Sequence, residues 1–282
     1  MVSISDSEHL AQADHLRLAE FIEQVVGIQL PAHKRSLIET RLRKRLRATQ
    51  INHFHEYLDY VLNGDTQEQV MLIDALTTNK TDFFREANHF EYLYEYLDRL
   101  LNQSNQNRLH PYRFWSAGCS TGEEPYTLAM FLETLKINHP AFDYQIEATD
   151  ISVSVLQTAQ QAIYPHHLAE PIPMAYRKRF LLRKKTASLD LVKVAPELRQ
   201  HIHFSEFNLV TGNFDAMGGF DGIFCRNVMI YFSQAQRQLI IENFTRLLTQ
   251  NGFFFVGHSE GVSARQFGLE QKIPTVYQKI ST

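Results

Sequence analysis

The residues of this chain best suited to chemistry sit where short apolar runs end. Arg113 to Ala117 reads as a strand, and Gly118-Cys119-Ser120-Thr121-Gly122-Glu123-Glu124-Pro125 follows before a helical pattern begins. Glycines at such a turn let the backbone pass close to a ligand, and Glu123 or Glu124 can accept hydrogen bonds from it. An ordinary tight turn has the same composition. Asp150 closes the next strand-like run, where a carboxylate takes ribose hydroxyls in nucleotide-binding folds; a helix cap accounts for it equally well. The turn lacks the G-x-G-x-x-G spacing and a P-loop lysine. That argues against a dinucleotide or a nucleoside triphosphate, and for an adenosine ligand without phosphates such as S-adenosylmethionine.

Other chemistries fall away. Gly257-His258-Ser259-Glu260-Gly261 matches the nucleophile elbow of serine hydrolases, but that order needs an acid and then a histidine downstream, and no histidine follows His258. The pairs His53/His55 and His201/His203 lack cysteine or carboxylate partners at ligand spacing, so no metal is expected. Only Cys119 and Cys225 are present, both in apolar surroundings, which excludes a disulfide framework and fits a reducing cytoplasm. A formal net charge of −3 offers no overall attraction to nucleic acid or anionic membrane. No apolar run approaches the roughly 20 residues of a membrane helix, and the Met1 to His9 start is polar, without a secretion signal.

The elements that must position these residues follow from periodicity. With 282 residues, 44% of them hydrophobic, the chain has room for one large core and a smaller companion. From Leu10 to Leu76 apolar residues recur at helical spacing (Leu18, Phe21, Ile22, Val25; Ile38, Leu42, Leu46; Phe54, Leu58, Leu62; Val70, Ile73, Leu76), which predicts an all-helical domain over 1–76. A linker and connecting helix, Ala87 to Leu101, cover 77–112, with a loop at Asn102 to Asn107. Strands are expected at Arg113 to Ala117, Tyr144 to Thr149, His201 to Phe207, Gly222 to Cys225 and Phe253 to Val256. Helices fall between them at Pro125 to Lys136, Ser154 to Ala162 and Gln234 to Thr249, with Ser152 and Ser233 as N-caps. This alternation implies an α/β domain over 113–282 with a mostly parallel sheet. Residues 165–198 break the rhythm and read as a small β insertion, in which Leu189 to Val194 alternates like an exposed strand.

Four longer motifs name a family. Thr77 to Glu86 (TTNKTDFFRE), Trp115 to Tyr126 (WSAGCSTGEEPY), Phe220 to Phe232 (FDGIFCRNVMIYF) and Gly257 to Glu260 (GHSE) closely resemble, in order and across nearly the whole chain, the CheR family of chemoreceptor glutamate methyltransferases. The resemblance implies a Rossmann-like S-adenosylmethionine-dependent methyltransferase domain with a small β-subdomain insertion, preceded by a small all-α domain. It implies that Asn79, Thr81 and Arg85 approach the methionine end of the donor, that Glu123 meets its amino-acid or ribose region, and that Asp150 holds the ribose. Asn208-Leu209 and Asn227-Val228 would line the adenine and sulfonium side. By residue type alone, Thr81 serves as a helix cap, Asn208 and Asn227 as turn formers, and Arg85 as a surface ion pair.

A glutamate acceptor needs no general base, so alignment and dehydration are the task, with Arg85 and Tyr231 as candidates for gripping its carboxylate. Tyr231 has packing as its plainer use. Around the stripe Ile38, Leu42, Leu46, the basic residues Lys34, Arg41, Lys44 and Arg45 are expected on outer faces. By residue type they make a solvated face; the resemblance makes them a docking surface for the acidic methylation helices of receptors, rather than for nucleic acid or membrane. Some family members hold a receptor's carboxyl-terminal peptide through a glycine-containing loop of the β insertion. Here the loop reads Leu182-Arg183-Lys184-Lys185-Thr186-Ala187-Ser188, without glycine, so weak or no tethering is expected. A monomer is expected. A methyltransferase of another substrate and a non-catalytic S-adenosylmethionine sensor remain the alternatives.

Overall fold

A computed structural model describes residues 9–64, 66–103, 109–186 and 188–280. Four helices come first: α1 (Gln12–Val26), α2 (Arg35–Thr49), α3 (Phe54–Leu62) and α4 (Thr66–Leu76). They bury one apolar core that contains Leu18, Ile22, Ile38, Leu42, Leu46, Phe54, Leu58, Ile73 and Leu76, as the periodicity requires. Val25 and Val70 belong to the same expected stripes yet are 36% and 37% exposed, because they flank the buried face rather than centre it. Hydrogen bonds tie the helical part to the rest. Gln29 N–H donates to Tyr231 O at 2.8 Å, Ile28 bridges Phe232, and Asn208 Nδ2 donates to Val25 O at 2.8 Å.

Helix α5 (Asn88–Gln103) leads into the sheet. It runs through the first residues of the loop expected at Asn102 to Asn107; residues 104–107 lie outside those described, as do 1–8 of the polar start. Strands β1 (Tyr112–Ala117) and β2 (Tyr144–Asp150) flank α6 (Glu123–Asn138), and α7 (Val153–Gln161) follows β2. The insertion comes next, with β3 (Ile163–Pro165), α8 (Met174–Phe180), β4 (Leu181–Lys185), β5 (Asp190–Val194) and α9 (Pro196–Arg199). The chain then returns through β6 (Ile202–Glu206), β7 (Phe220–Cys225), α10 (Gln234–Leu247), β8 (Leu248–Val256), β9 (Leu269–Ile273) and β10 (Val276–Lys279).

The main sheet has the order β6-β2-β1-β7-β8-β10-β9, parallel from β6 to β8, with β10 and β9 antiparallel at one edge. The chain winds outward through β1, β2 and β6 and then crosses to β7 on the other side of β1. Such a reversal opens a crevice at the carboxyl ends of the strands. The insertion is a separate three-stranded sheet, β3-β5-β4. Its central strand is β5, not the exposed strand expected there: Val192 and Val194 are buried, and Asp190, Leu191 and Lys193 are half-buried.

Ser233 caps α10 with a full capping box through Gln236. Ser152 stands at the N-cap of α7 but makes no side-chain cap bond; Asp150 takes the Ser152 N–H instead, at 3.0 Å. Cys119 and Cys225 are both buried and free. Among the described residues no helix is long and apolar enough to cross a membrane.

Candidate active site

A cavity lies between the helical part and the carboxyl ends of the parallel strands. Four strand ends supply its floor: Gly118 and Ser120 after β1, Asp150 and Ile151 at β2, Asn208 and Leu209 after β6, and Asn227 and Val228 after β7. The roof is the segment from Thr77 to Arg85, which links α4 to α5. Of the expected site residues, Asn79, Thr81, Arg85, Asp150, Asn208, Leu209, Asn227, Val228 and Tyr231 all line this one cavity, and so do Lys34 and Arg41. Tyr231 and Lys34 also border a second, shallower groove with Glu23, Gln29, Leu30 and Ile230, so they stand between the cavity and the outer surface.

Close approach of backbone explains the floor. Gly118 has φ of +83°, and a Cβ there would lie 2.5 Å from Val228 Cγ2, so any larger residue pushes into the cavity wall. Asn227 also adopts positive φ, 61°, held by Glu260, whose carboxylate accepts the N–H groups of Asn227 at 2.6 Å and Gly257 at 2.8 Å. The GHSE motif therefore shapes the β7 turn. Asp150 is buried, with Oδ2 accepting Ser120 N–H at 2.8 Å and Oδ1 accepting Ser152 N–H at 3.0 Å. With the Ile151 N–H as a third donor, the carboxylate still has acceptor capacity for a ligand hydroxyl. Burial raises this carboxyl above its ordinary range, against the pull of those N–H groups. Asn208 is occupied as a turn former as well: its Oδ1 accepts from Val210 and Thr211 N–H, while its Nδ2 reaches the helical part.

Behind Arg85 lies a buried ionic group. Arg226, with its side chain 2% exposed, faces Glu86 Oε2 at 3.1 Å and Glu124 Oε2 at 3.3 Å, and donates to Arg85 O. Glu124 also accepts the Ser116 hydroxyl at 2.7 Å. Burial pushes both carboxyls up; for Glu86 the charge of Arg226 and the His258 N–H outweigh it and the net shift is down, whereas Glu124 stays raised. Arg85 itself donates to Lys80 O at 3.1 Å, between Phe84 and Glu86, which both adopt positive φ. The loop that presents Arg85 is thus strained and clamped from beneath.

The comparisons with known proteins decide the family. The model of the CheR methyltransferase SAM binding domain matches residues 79–277, and that of the CheR methyltransferase all-alpha domain matches residues 13–77. The chain belongs to the CheR methyltransferase family. Chemotaxis protein methyltransferase 2 of Pseudomonas aeruginosa is 39% identical over 89% of this chain and 88% of its own length. The chemotaxis protein methyltransferase of Escherichia coli is 36% identical, covering 98% and 94%, and that of Salmonella typhimurium 38%, covering 95% and 90%.

The CheR cavity fits S-adenosylmethionine on its own chemistry. Ile151, Leu209 and Val228 give apolar walls for a base, Asp150 has acceptor capacity for hydroxyls, and Arg85 offers a positive charge for the carboxylate of a zwitterionic tail. Three expectations need correction. Glu123 is not among the lining residues; it is buried under the turn, accepting the Thr121 hydroxyl at 2.6 Å, and Glu124 lines the cavity in its place. Arg41 does not point outward, since it donates to Leu76 O, Thr77 O and Thr78 Oγ1 and holds the roof to α2. Nor does Arg45, which grips buried Glu68 with two bonds of 2.9 and 2.7 Å. Lys34 and Lys44 are exposed as expected. Sequence reasoning passed over Arg226, although it stands inside a quoted motif, because an arginine reads as a surface cation until its carboxylate partners are placed.

Proposed function

We propose that this protein transfers methyl groups from S-adenosylmethionine to glutamate side chains of chemoreceptors, making glutamyl methyl esters that serve adaptation in bacterial chemotaxis, and that it works in the cytoplasm. The observation that carries the reading is the convergence of Gly118, Asp150, Asn208 and Asn227, from the ends of four neighbouring parallel strands, on one cavity of a CheR-family chain. Relatives named chemotaxis protein methyltransferase support methyl transfer in chemotaxis. The chemistry of the mouth supports a glutamate acceptor.

The donor supplies a methyl group on a positively charged sulfur. A glutamate of ordinary pKa, about 4.3, is ionised at neutral pH and attacks without a base. The protein's work is then to align the carboxylate and exclude water from it, which contributes several kcal/mol to lowering the barrier. An acceptor side chain coming from the outer groove passes Tyr231, whose hydroxyl can fix one oxygen, and reaches Arg85, whose guanidinium can hold the other. Esterification removes the acceptor's charge and with it the attraction to Arg85, so product leaves. Lys34 beside the groove and Lys44 on α2 provide the exposed positive charge that meets acidic methylation helices.

Peptide mass spectrometry of a receptor incubated with enzyme and donor tests the acceptor. Added mass of one methylene on receptor glutamates, absent when those glutamates are changed to alanine, is the expected result. Modification confined to other residue types would overturn the proposal.

A further inference from the structure

Beneath the Arg85 loop, three side chains from two distant segments of the chain converge outside the cavity. Glu86 and His89 bracket the start of α5, and His258 follows β8; one ligand atom from each lies within 4.8 Å of the other two. His89 Nδ1 is 3.8 Å from Glu86 Oε2, and His258 Nδ1 is 3.9 Å from Glu86 Oε1. The other nitrogen of His89 lies 2.8 Å from the Thr275 hydroxyl. His89 Nδ1 is buried, has no hydrogen-bond partner among the described residues, and lies beside the Glu86 carboxylate. With Nε2–H held by Thr275, Nδ1 is the nitrogen that can ligate a cation.

We propose that Glu86, His89 and His258 form a binding site for a divalent first-row transition ion of the zinc class, separate from the methyl-transfer cavity. Two imidazole nitrogens and one carboxylate oxygen suit such an ion. Around zinc, tetrahedral ligands at about 2.0 Å lie about 3.3 Å apart, so the present separations close by small side-chain rotations. His258 is 56% exposed on its side chain and has room to make that rotation, leaving a further position for water. The Thr275 contact supplies the outer hydrogen bond that orients a metal-bound imidazole. Arg226 opposes the ion, at 3.1 Å from Glu86, but it also serves Glu124 at 3.3 Å.

Calorimetry of the full chain with Zn²⁺, in a non-chelating buffer, tests the site. The expected result is one ion bound with a micromolar or tighter dissociation constant, weakened more than about 100-fold by His258→Ala. His203→Ala, at an exposed histidine on β6, should leave it unchanged. His258 lies on the surface, so its variant should fold, which circular dichroism checks. No binding below millimolar zinc, or binding indifferent to His258→Ala, would overturn the site.

Discussion

Arg85 and Glu123 show how differently two motif residues behave once their surroundings are known. Arg85 lines the cavity on a loop with strained neighbours, and Arg226 below holds its carbonyl. If it grips the acceptor carboxylate, Arg85→Ala lowers the rate of methyl transfer by at least about 100-fold, the scale of one lost charge-assisted contact in a dehydrated site. Unchanged turnover together with unchanged donor affinity by calorimetry would remove Arg85 from the mechanism. Glu123 instead carries a stability signature. Burial raises its carboxyl to about 7 from 4.5, so the folded chain keeps a proton that the unfolded chain releases. That contribution is complete below pH 4.5 and is lost as the pH rises through 7, at most roughly 3 kcal/mol. Glu123→Gln should therefore gain stability relative to the parent between pH 5 and pH 7.5 in urea unfolding; an equal difference at both pH values would contradict it. His89, which burial lowers to about 3, acts in the opposite sense in both proteins and cancels from the comparison. The motifs made both residues visible in the sequence. Their different fates were not visible, because burial depends on partners such as Glu86 and Arg226, 140 residues apart.

Helix α2 was legible in its apolar stripe and misleading in its charges. Ile38, Leu42 and Leu46 are buried as spacing requires, but Arg41 and Arg45 turn inward to α4, toward carbonyls and a carboxylate that a helical wheel of α2 alone does not contain. Of the four basic residues expected on outer faces, Lys34 and Lys44 are the exposed ones. Lys44→Glu, at an exposed residue outside the cavity, is expected to raise the KM for receptor severalfold, most strongly at low salt, and to leave donor affinity unchanged; a salt-independent effect would argue against electrostatic docking. In the insertion, the hairpin of β4 and β5 closes without glycine. Thr186 N–H donates to Leu189 O at 2.7 Å, and Arg183 pairs twice with Asp190, at 2.9 and 2.7 Å; Ala187 lies outside the described residues. A receptor carboxyl-terminal peptide should bind this hairpin weakly or not at all. A micromolar or tighter constant by calorimetry would reverse that expectation.

Across the whole molecule, strand–helix alternation made the parallel part of the sheet readable, since β1, β2, β7 and β8 each end in a consecutively buried stretch. The edge pair β9 and β10 escaped notice because Leu269-Glu270-Gln271-Lys272-Ile273 carries the charges that protect an edge and lacks an apolar run. The cavity was legible only as separate strand ends; the order β6-β2-β1-β7 is what brings them together. A catalyst of ester formation and a mere donor sensor share that cavity, and they differ in what leaves it. The decisive measurement is transfer of tritiated methyl from S-adenosylmethionine to receptor-containing membranes, followed by mild alkali. Methyl esters predict label released as volatile methanol, and lost when the receptor glutamates are replaced. Label that withstands alkali, or no label despite donor binding by calorimetry, would contradict carboxyl methylation.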